Sequence, residues 1–209
     1  MTLRLFVVVG LLAGCGSVHA PATKYYKLEI PHAATPEGPF APVSVRIEPF
    51  RTTNLLRQDR IVYRPSPVEV GFYEYHRWAE PPNDAVTKAL ADQLLRRRVF
   101  QSVELSDRGG KTNYVLRGSI DRLQEVDYMG AVKVQVSISA ELEDPVRGLR
   151  IWSSSATAEC VVAKSDVQAV VAAMGQASQQ SIVRLVTDIA QFVQLNRLAA
   201  VSTAGIPPH

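Results

Sequence analysis

The chain has 209 residues, 46% of them hydrophobic and 21% charged, the makeup of one ordinary globular domain able to bury a sizeable core. The formal net charge is +3; removing residues 1–14 takes away one base, Arg4, and leaves 22 basic and 20 acidic residues, a balance that gives no footing for nucleic acid. Two cysteines, Cys15 and Cys160, exclude an internal disulfide framework once Cys15 is assigned to the export signal.

Met1 to Arg4 supplies a short positive start, and Leu5 to Leu12 (LFVVVGLL) is an apolar run of signal-peptide size, far below the roughly 20 residues of a spanning helix. It ends in Leu12-Ala13-Gly14-Cys15, which resembles the lipobox of bacterial lipoproteins: two small residues that fit a protease cleft, then the cysteine that takes diacylglycerol. The resemblance implies cleavage before Cys15 and lipidation of its thiol. At about 0.8 kcal/mol per buried CH₂, two or three acyl chains make release negligible. Residue 16 is glycine, not the aspartate that retains Gram-negative lipoproteins at the inner membrane, which points to the periplasmic face of the outer membrane. The expected organisation is a signal peptide over 1–14, a lipidated tether over 15–23, one domain over 24–196 and a flexible tail over 197–209.

Tyr25 to Ile30 reads as a first strand, and the proline-rich stretch Pro31 to Pro42 as a loop. Val43, Val45 and Ile47 alternate with polar residues, the mark of a half-buried strand. Two strand-like runs follow, Ile61 to Arg64 and Val68 to Tyr75, divided by Pro65 and Pro67. Pro81 and Pro82 lead into a helix near Asn83, with Val86, Leu90 and Leu94 on one stripe and Arg96-Arg97-Arg98 at its end, where cations suit the negative helix terminus.

Val99 to Leu105 is a strand candidate, and Gly109-Gly110 a turn. Tyr114 to Val126 reads as a long strand that shifts face near Leu123. From Val132 to Leu142 apolar and polar residues alternate without exception, giving one wet face and one dry face. Trp152, Ala156, Ala158, Cys160 and Val162 repeat the pattern and place Cys160 on the dry face. Ser165-Asp-Val-Gln168 has the form of a capping box, and apolar residues from Val167 to Phe192 recur at helical spacing up to Asn196. The expected fold is α+β and two-layered, with two helices packed on one face of a mainly antiparallel mixed sheet.

Among four histidines only His76 falls in the ordered part, and no zinc-protease, nucleophile-elbow, phosphate-loop, dinucleotide or paired-cysteine motif occurs. The chain is therefore expected not to be an enzyme, with no cofactor and no metal site. What stands out is the aromatic segment. Tyr73, Tyr75, His76, Arg77 and Trp78 are residue types enriched at binding hot spots, and equally ordinary strand and core residues. They are the candidate partner-binding residues.

The lipobox, Tyr25-Tyr-x-Leu28, Val45-Arg-Ile-Glu-Pro-Phe50, the block from Asp59-Arg-Ile-Val-Tyr63 through Tyr75-His-Arg-Trp78-x-Glu-Pro-Pro82, and Tyr114-Val-Leu-Arg-Gly118 together resemble the ABC-type transport auxiliary lipoproteins, which include the paraquat-inducible protein C group. Gly71 and Phe72 depart from the bulkier or more polar residues expected there. The resemblance implies an accessory that docks an MCE-domain periplasmic protein and, through it, an inner-membrane permease and ATPase serving lipid or hydrophobic-compound transport. It carries no catalytic residues, and homo-oligomerisation is left open. Two other readings stand beside it: a free-standing periplasmic lipid-binding protein with its own apolar cavity, and a hydrolase built around His76.

Overall fold

The computed structural model describes residues 21–33, 40–106, 111–128, 130–163 and 166–196. The Leu12 to Cys15 motif, Gly16, the Gly109-Gly110 turn, Ser165 and the 197–209 tail lie outside the described residues. Within them the chain forms, in order, β1 (Lys24–Tyr26), β2 (Ala41–Ile47), β3 (Arg51–Thr52), β4 (Arg60–Arg64), β5 (Gly71–Trp78), α1 (Pro82–Arg96), β6 (Phe100–Leu105), β7 (Tyr114–Val126), β8 (Lys133–Asp144), β9 (Leu149–Val161) and α2 (Val167–Asn196).

One strand organises the sheet. β8 pairs antiparallel along one edge of β7, from Val115↔Glu143 to Val126↔Lys133. The other edge of β7 is shared by three strands in succession, all parallel to it: β2 at Tyr114 to Leu116, β3 at Ser119 and Ile120, and β4 at Gln124 to Val126. β9 lies outside β8, β6 outside β2, β5 outside β4 and β1 outside β5. The fold is α+β with a curled mixed sheet, and among the described residues five of the eight strand pairings are parallel. Antiparallel order is confined to the β7–β8–β9 meander and the β4–β5 hairpin. The physical reason is the crossover: α1 carries the chain back before β6 begins, so β6 joins β2 parallel.

The dry face of the meander is the floor of the core. Val134, Val136, Ile138 and Leu142 are fully buried, as their alternation predicts. The shift of face near Leu123 is a bulge at Asp121, where Ile120 pairs Ile138 and Arg122 pairs Ser137. β2 begins at Ala41, so Pro42 lies inside the strand, at an irregularity between Ala41 and Ser44 that tolerates a residue with no N–H to give.

α1 starts with Pro82 in its first turn, where the missing N–H costs nothing. Val86, Leu90 and Leu94 bury its inner stripe. Thr87 ties it to the end of β2, accepting the Phe50 N–H at 3.0 Å and donating to the Asn83 carbonyl at 2.6 Å. The helix closes with Arg98 N–H on Leu95 O at 3.0 Å and Val99 N–H on Leu94 O at 3.2 Å, Arg98 taking φ 51°; this is a Schellman motif with arginine where glycine is usual. Arg97 reaches Thr187 of α2 at 2.8 Å.

α2 is capped by Asp166, whose carboxylate accepts the Ala169 N–H at 2.7 Å, one residue later than the predicted box. Val170, Met174, Ile182, Leu185 and Ile189 are buried. Gly175 faces the segment that follows β1: a Cβ there would lie 2.0 Å from the Glu29 carbonyl oxygen, and neighbouring Leu28 is buried. The chain leaving β1 is thus a strap laid across α2. Further along, Arg184 donates to the Thr157 carbonyl, and the Ser154 hydroxyl donates to Asp188 at 2.8 Å, fastening the helix to β9. Cys160 is half-buried with Gln180 Nε2 3.5 Å from its sulfur, and burial pushes its thiol pKa up. Among the described residues no helix is long and apolar enough to cross a membrane.

Candidate functional site

The aromatic segment forms β5 and is bent by its pairing with β4. Tyr63 pairs Gly71 and Val62 pairs Phe72, but the next partners are Arg60 and Arg77, so five steps on β5 match two on β4. Three residues within Tyr73 to His76 are surplus, and alternation of faces breaks down there. The Tyr63 ring lies over Gly71: a Cβ there would meet it at 2.3 Å, so a larger residue would have to displace the ring. Phe72 packs against the core.

The bulge brings Tyr73 and His76 together with ring centroids 5.5 Å apart, edge to face, and Tyr63 stacks obliquely on Tyr73 at 5.1 Å. The Tyr73 hydroxyl donates to Glu125 Oε2 at 2.7 Å. Burial pushes the Tyr73 pKa far up, reinforced by that carboxylate, and burial likewise raises Glu125 against the lowering effect of the Tyr73 bond. His76 Nδ1 lies 2.8 Å from the Tyr26 hydroxyl on β1. Burial raises the Tyr26 pKa, with Asp166 adding to it. These contacts knit β1, β5 and β7 together where the chain enters the domain.

The five candidate residues therefore separate. Tyr73 and His76 are half-buried and bonded internally. Tyr75 is part-exposed, and Arg77 grips both oxygens of Asp59 at 2.7 Å. Trp78 is 6% exposed and belongs to the core, which removes it from any accessible partner surface. Trp78 shares this side with Phe72, which also packs against the core.

A second site, which sequence reasoning missed, is a groove of about 830 Å³ on the polar side of the meander. Arg117 bridges Glu48 at 2.8 Å and Glu143, and Arg46 approaches Glu48 at 3.5 Å. The Arg117 hydrogen bond, helped by the charge of both arginines, holds the Glu48 carboxyl below its usual range against the effect of burial. Ser119 and Ser139 both donate to Asp121, the bulged residue of β7. Arg51, Arg150 and Glu141 complete the rim. The only sequence signal was the polar half of an alternating pattern, which says that a face is wet and nothing about its shape.

Such a lining suits polar ligands, and acyl chains need apolar walls. The apolar cavity between the helices and the sheet, bounded by Leu90, Leu94, Trp152 and Leu185, holds about 10 Å³, no more than one water. Among the described residues no group of three histidine, cysteine or carboxylate side chains could hold a metal ion.

Comparison with known proteins gives these features a context. The family model described as the ABC-type transport auxiliary lipoprotein component matches residues 26–190. Among solved structures the chain is similar to protein XCC0632 from Xanthomonas campestris, at 19% identity over 83% of this chain and 99% of that one, with a TM-score of 0.73. An uncharacterized protein matches at 17% identity over 81% and 99% with a TM-score of 0.61. The hypothetical protein CT253 from Chlamydia trachomatis matches at 12% identity over 75% and 100%, TM-score 0.51. No match is found among curated proteins. The structures speak for the fold; the family match spans most of the chain, and the chain therefore belongs to the ABC-type transport auxiliary lipoproteins.

Proposed function

We propose that this chain is a lipoprotein of the outer membrane, acylated on Cys15 and facing the periplasm, that docks the MCE-domain protein of an ABC-type system moving lipid or other hydrophobic compounds between the membranes. The observation that carries the reading is the family match over residues 26–190 joined to the Leu12-Ala-Gly-Cys15 motif. ATP hydrolysis and substrate movement belong, in this reading, to the partner permease and ATPase. Of the aromatic segment, Tyr75 and Arg77 are the members a partner can reach, while Tyr73 and His76 hold the entry strand in place.

The filled core favours docking over private lipid carriage, since a 10 Å³ void accommodates no acyl chain. Intact-mass measurement of the native protein should show a diacylglycerol-sized increment on Cys15. Density-gradient separation should place it with outer-membrane markers and Gly16→Asp with the inner membrane. Binding to the purified periplasmic part of the MCE protein is the functional test. Stoichiometric lipid retained without any MCE interaction, or hydrolase turnover that vanishes in His76→Ala, overturns the proposal.

A further inference from the structure

The groove on the polar side of the meander is built in rows across four strands. Arg51 of β3 pairs with Ser119 of β7, Ser119 with Ser139 of β8, and Ser139 with Ser155 of β9, so one row runs roughly 14 Å from β3 to β9. The next row sets Arg117 beside Glu141 and Glu141 beside Ser153. Arg150 reaches inward from β9 to Glu141 of the neighbouring strand at 3.2 Å. At about 830 Å³ the space is that of a small-molecule site.

The hydrogen-bonding groups of this groove are out of balance. Its carboxylates are served. Glu48 accepts from Arg117 at 2.8 Å and 3.2 Å, Glu143 from the same guanidinium, Glu141 from Arg150, and Asp121 from Ser119 and Ser139. The donors are in surplus. Arg51 is exposed and its side chain makes no ion pair or hydrogen bond among the described residues, and the same holds for the exposed Ser153 and Ser155 hydroxyls. Arg150 is 64% exposed, and an ion pair as exposed as its contact with Glu141 contributes little, so a ligand can recruit it. A guanidinium has only donors to give. What completes the groove is therefore an acceptor, and an anion. The free donors stand on opposite flanks, Arg51 on β3 and the others on β9. An occupant must accept from both flanks at once, which suits the oxygens of a tetrahedral phosphate better than the two coplanar oxygens of a carboxylate.

We infer that the groove binds a phosphate ester, held between Arg51 and Arg150 with the hydroxyls of Ser153 and Ser155 as further donors. The lining holds no aromatic ring on which a base could stack, and its polar walls leave any acyl chain outside. The recognised part is thus the phosphate with a small polar substituent, which a lipid headgroup and a soluble ester have in common. The site lies apart from the aromatic segment and stands independently of the docking of an MCE protein.

The test titrates the acylated full-length protein, held in maltoside micelles, with glycerol phosphate, and reads binding by calorimetry and phosphorus NMR. Wild-type binding should saturate. Arg51→Ala combined with Ser155→Ala removes two side chains that contact no other, and should leave the melting temperature unaltered while weakening binding by about tenfold. Lys88→Ala, on the exposed side of α1, should change it less than twofold, and succinate should compete poorly. Micelles doped with phosphatidylglycerol separate the two sources: displacement of glycerol phosphate assigns the site to a lipid headgroup, and unaltered binding assigns it to a soluble ester. Absence of saturable glycerol phosphate binding by the wild type, undiminished binding by the double variant, or succinate bound as tightly overturns the inference.

Discussion

Gly175→Ala isolates the contact between α2 and the strap that follows β1. In the interior of a helix this substitution ordinarily stabilises by about 0.5–1 kcal/mol, because glycine loses more backbone freedom than alanine on folding. Here the new methyl would lie 2.0 Å from the Glu29 carbonyl oxygen, more than 1 Å inside the roughly 3.3 Å of an ordinary C···O contact. The obstacle is backbone, so either the helix or the strap must move. Overpacking of this kind costs about 1–3 kcal/mol, and lifting the strap also exposes Leu28, whose full burial contributes roughly 1.5–3 kcal/mol. The expected net effect is destabilisation by about 1–2 kcal/mol, a fall in melting temperature of roughly 5 °C for a domain of this size. Urea titration followed by far-UV circular dichroism measures it. A Gly175→Ala protein more stable than wild type would refute the reasoning, since the helix-propensity gain would then be acting with no strap in its way.

Thr87→Val keeps the shape of the side chain but leaves the buried Phe50 N–H without its acceptor, and should cost about 1–3 kcal/mol in the same titration; Thr87→Ser should recover most of it. Cys160→Ala should cost about 1 kcal/mol, and the raised thiol pKa predicts slow reaction of Cys160 with a polar thiol reagent in the folded protein; rapid labelling contradicts its half-buried placement. The folded pKa of Glu48 lies below its unfolded value, so its contribution to stability is present above the usual carboxylate range and lost as pH falls through the folded pKa. Glu48→Gln should therefore flatten the acid limb of stability measured between pH 7 and pH 3. Glu125 has the opposite sign: its folded pKa is raised, so its contribution is present at low pH and fades as pH rises through that value, and Glu125→Gln, by removing this opposing contribution, should steepen the acid limb across the same window.

What was legible in the residues was local. The meander from Lys133 to Asp144 is a period-two pattern that needs only its own side chains to declare itself, and the bulge at Asp121 betrayed itself as a shift of apolar face within β7. The alignment of β2, β3 and β4 along one edge of β7 left no such trace, because the partners are separated by 60 to 70 residues at each pairing and nothing in a strand's own sequence names a distant parallel neighbour. Trp78 was misplaced because it was read by residue type: tryptophan suits a binding surface and a core equally, and its burial at 6% exposure follows from the packing of the sheet rather than from its own identity. The Glu48, Arg117 and Glu143 network of the groove likewise joins three separate strands or strand ends, so its charges read singly as ordinary solvated side chains.

The shared edge of β7 sets the timetable of folding. A polypeptide made N-terminus first presents β2, β3 and β4 long before Tyr114 arrives; β4 can pair with β5 and β2 with β6 in the meantime, but the edge that all three share is that of β7. Until then the buried side chains of β2, Val43, Val45 and Ile47, have only β6 beside them, and long-range parallel pairing is the slow kind of strand assembly. Truncation before Tyr114 leaves three strands with no common partner, whereas from Val126 onward the β8 and β9 additions are hairpins that close locally. The N-terminal half of the domain is accordingly the part most open to wrong association before β7 is made.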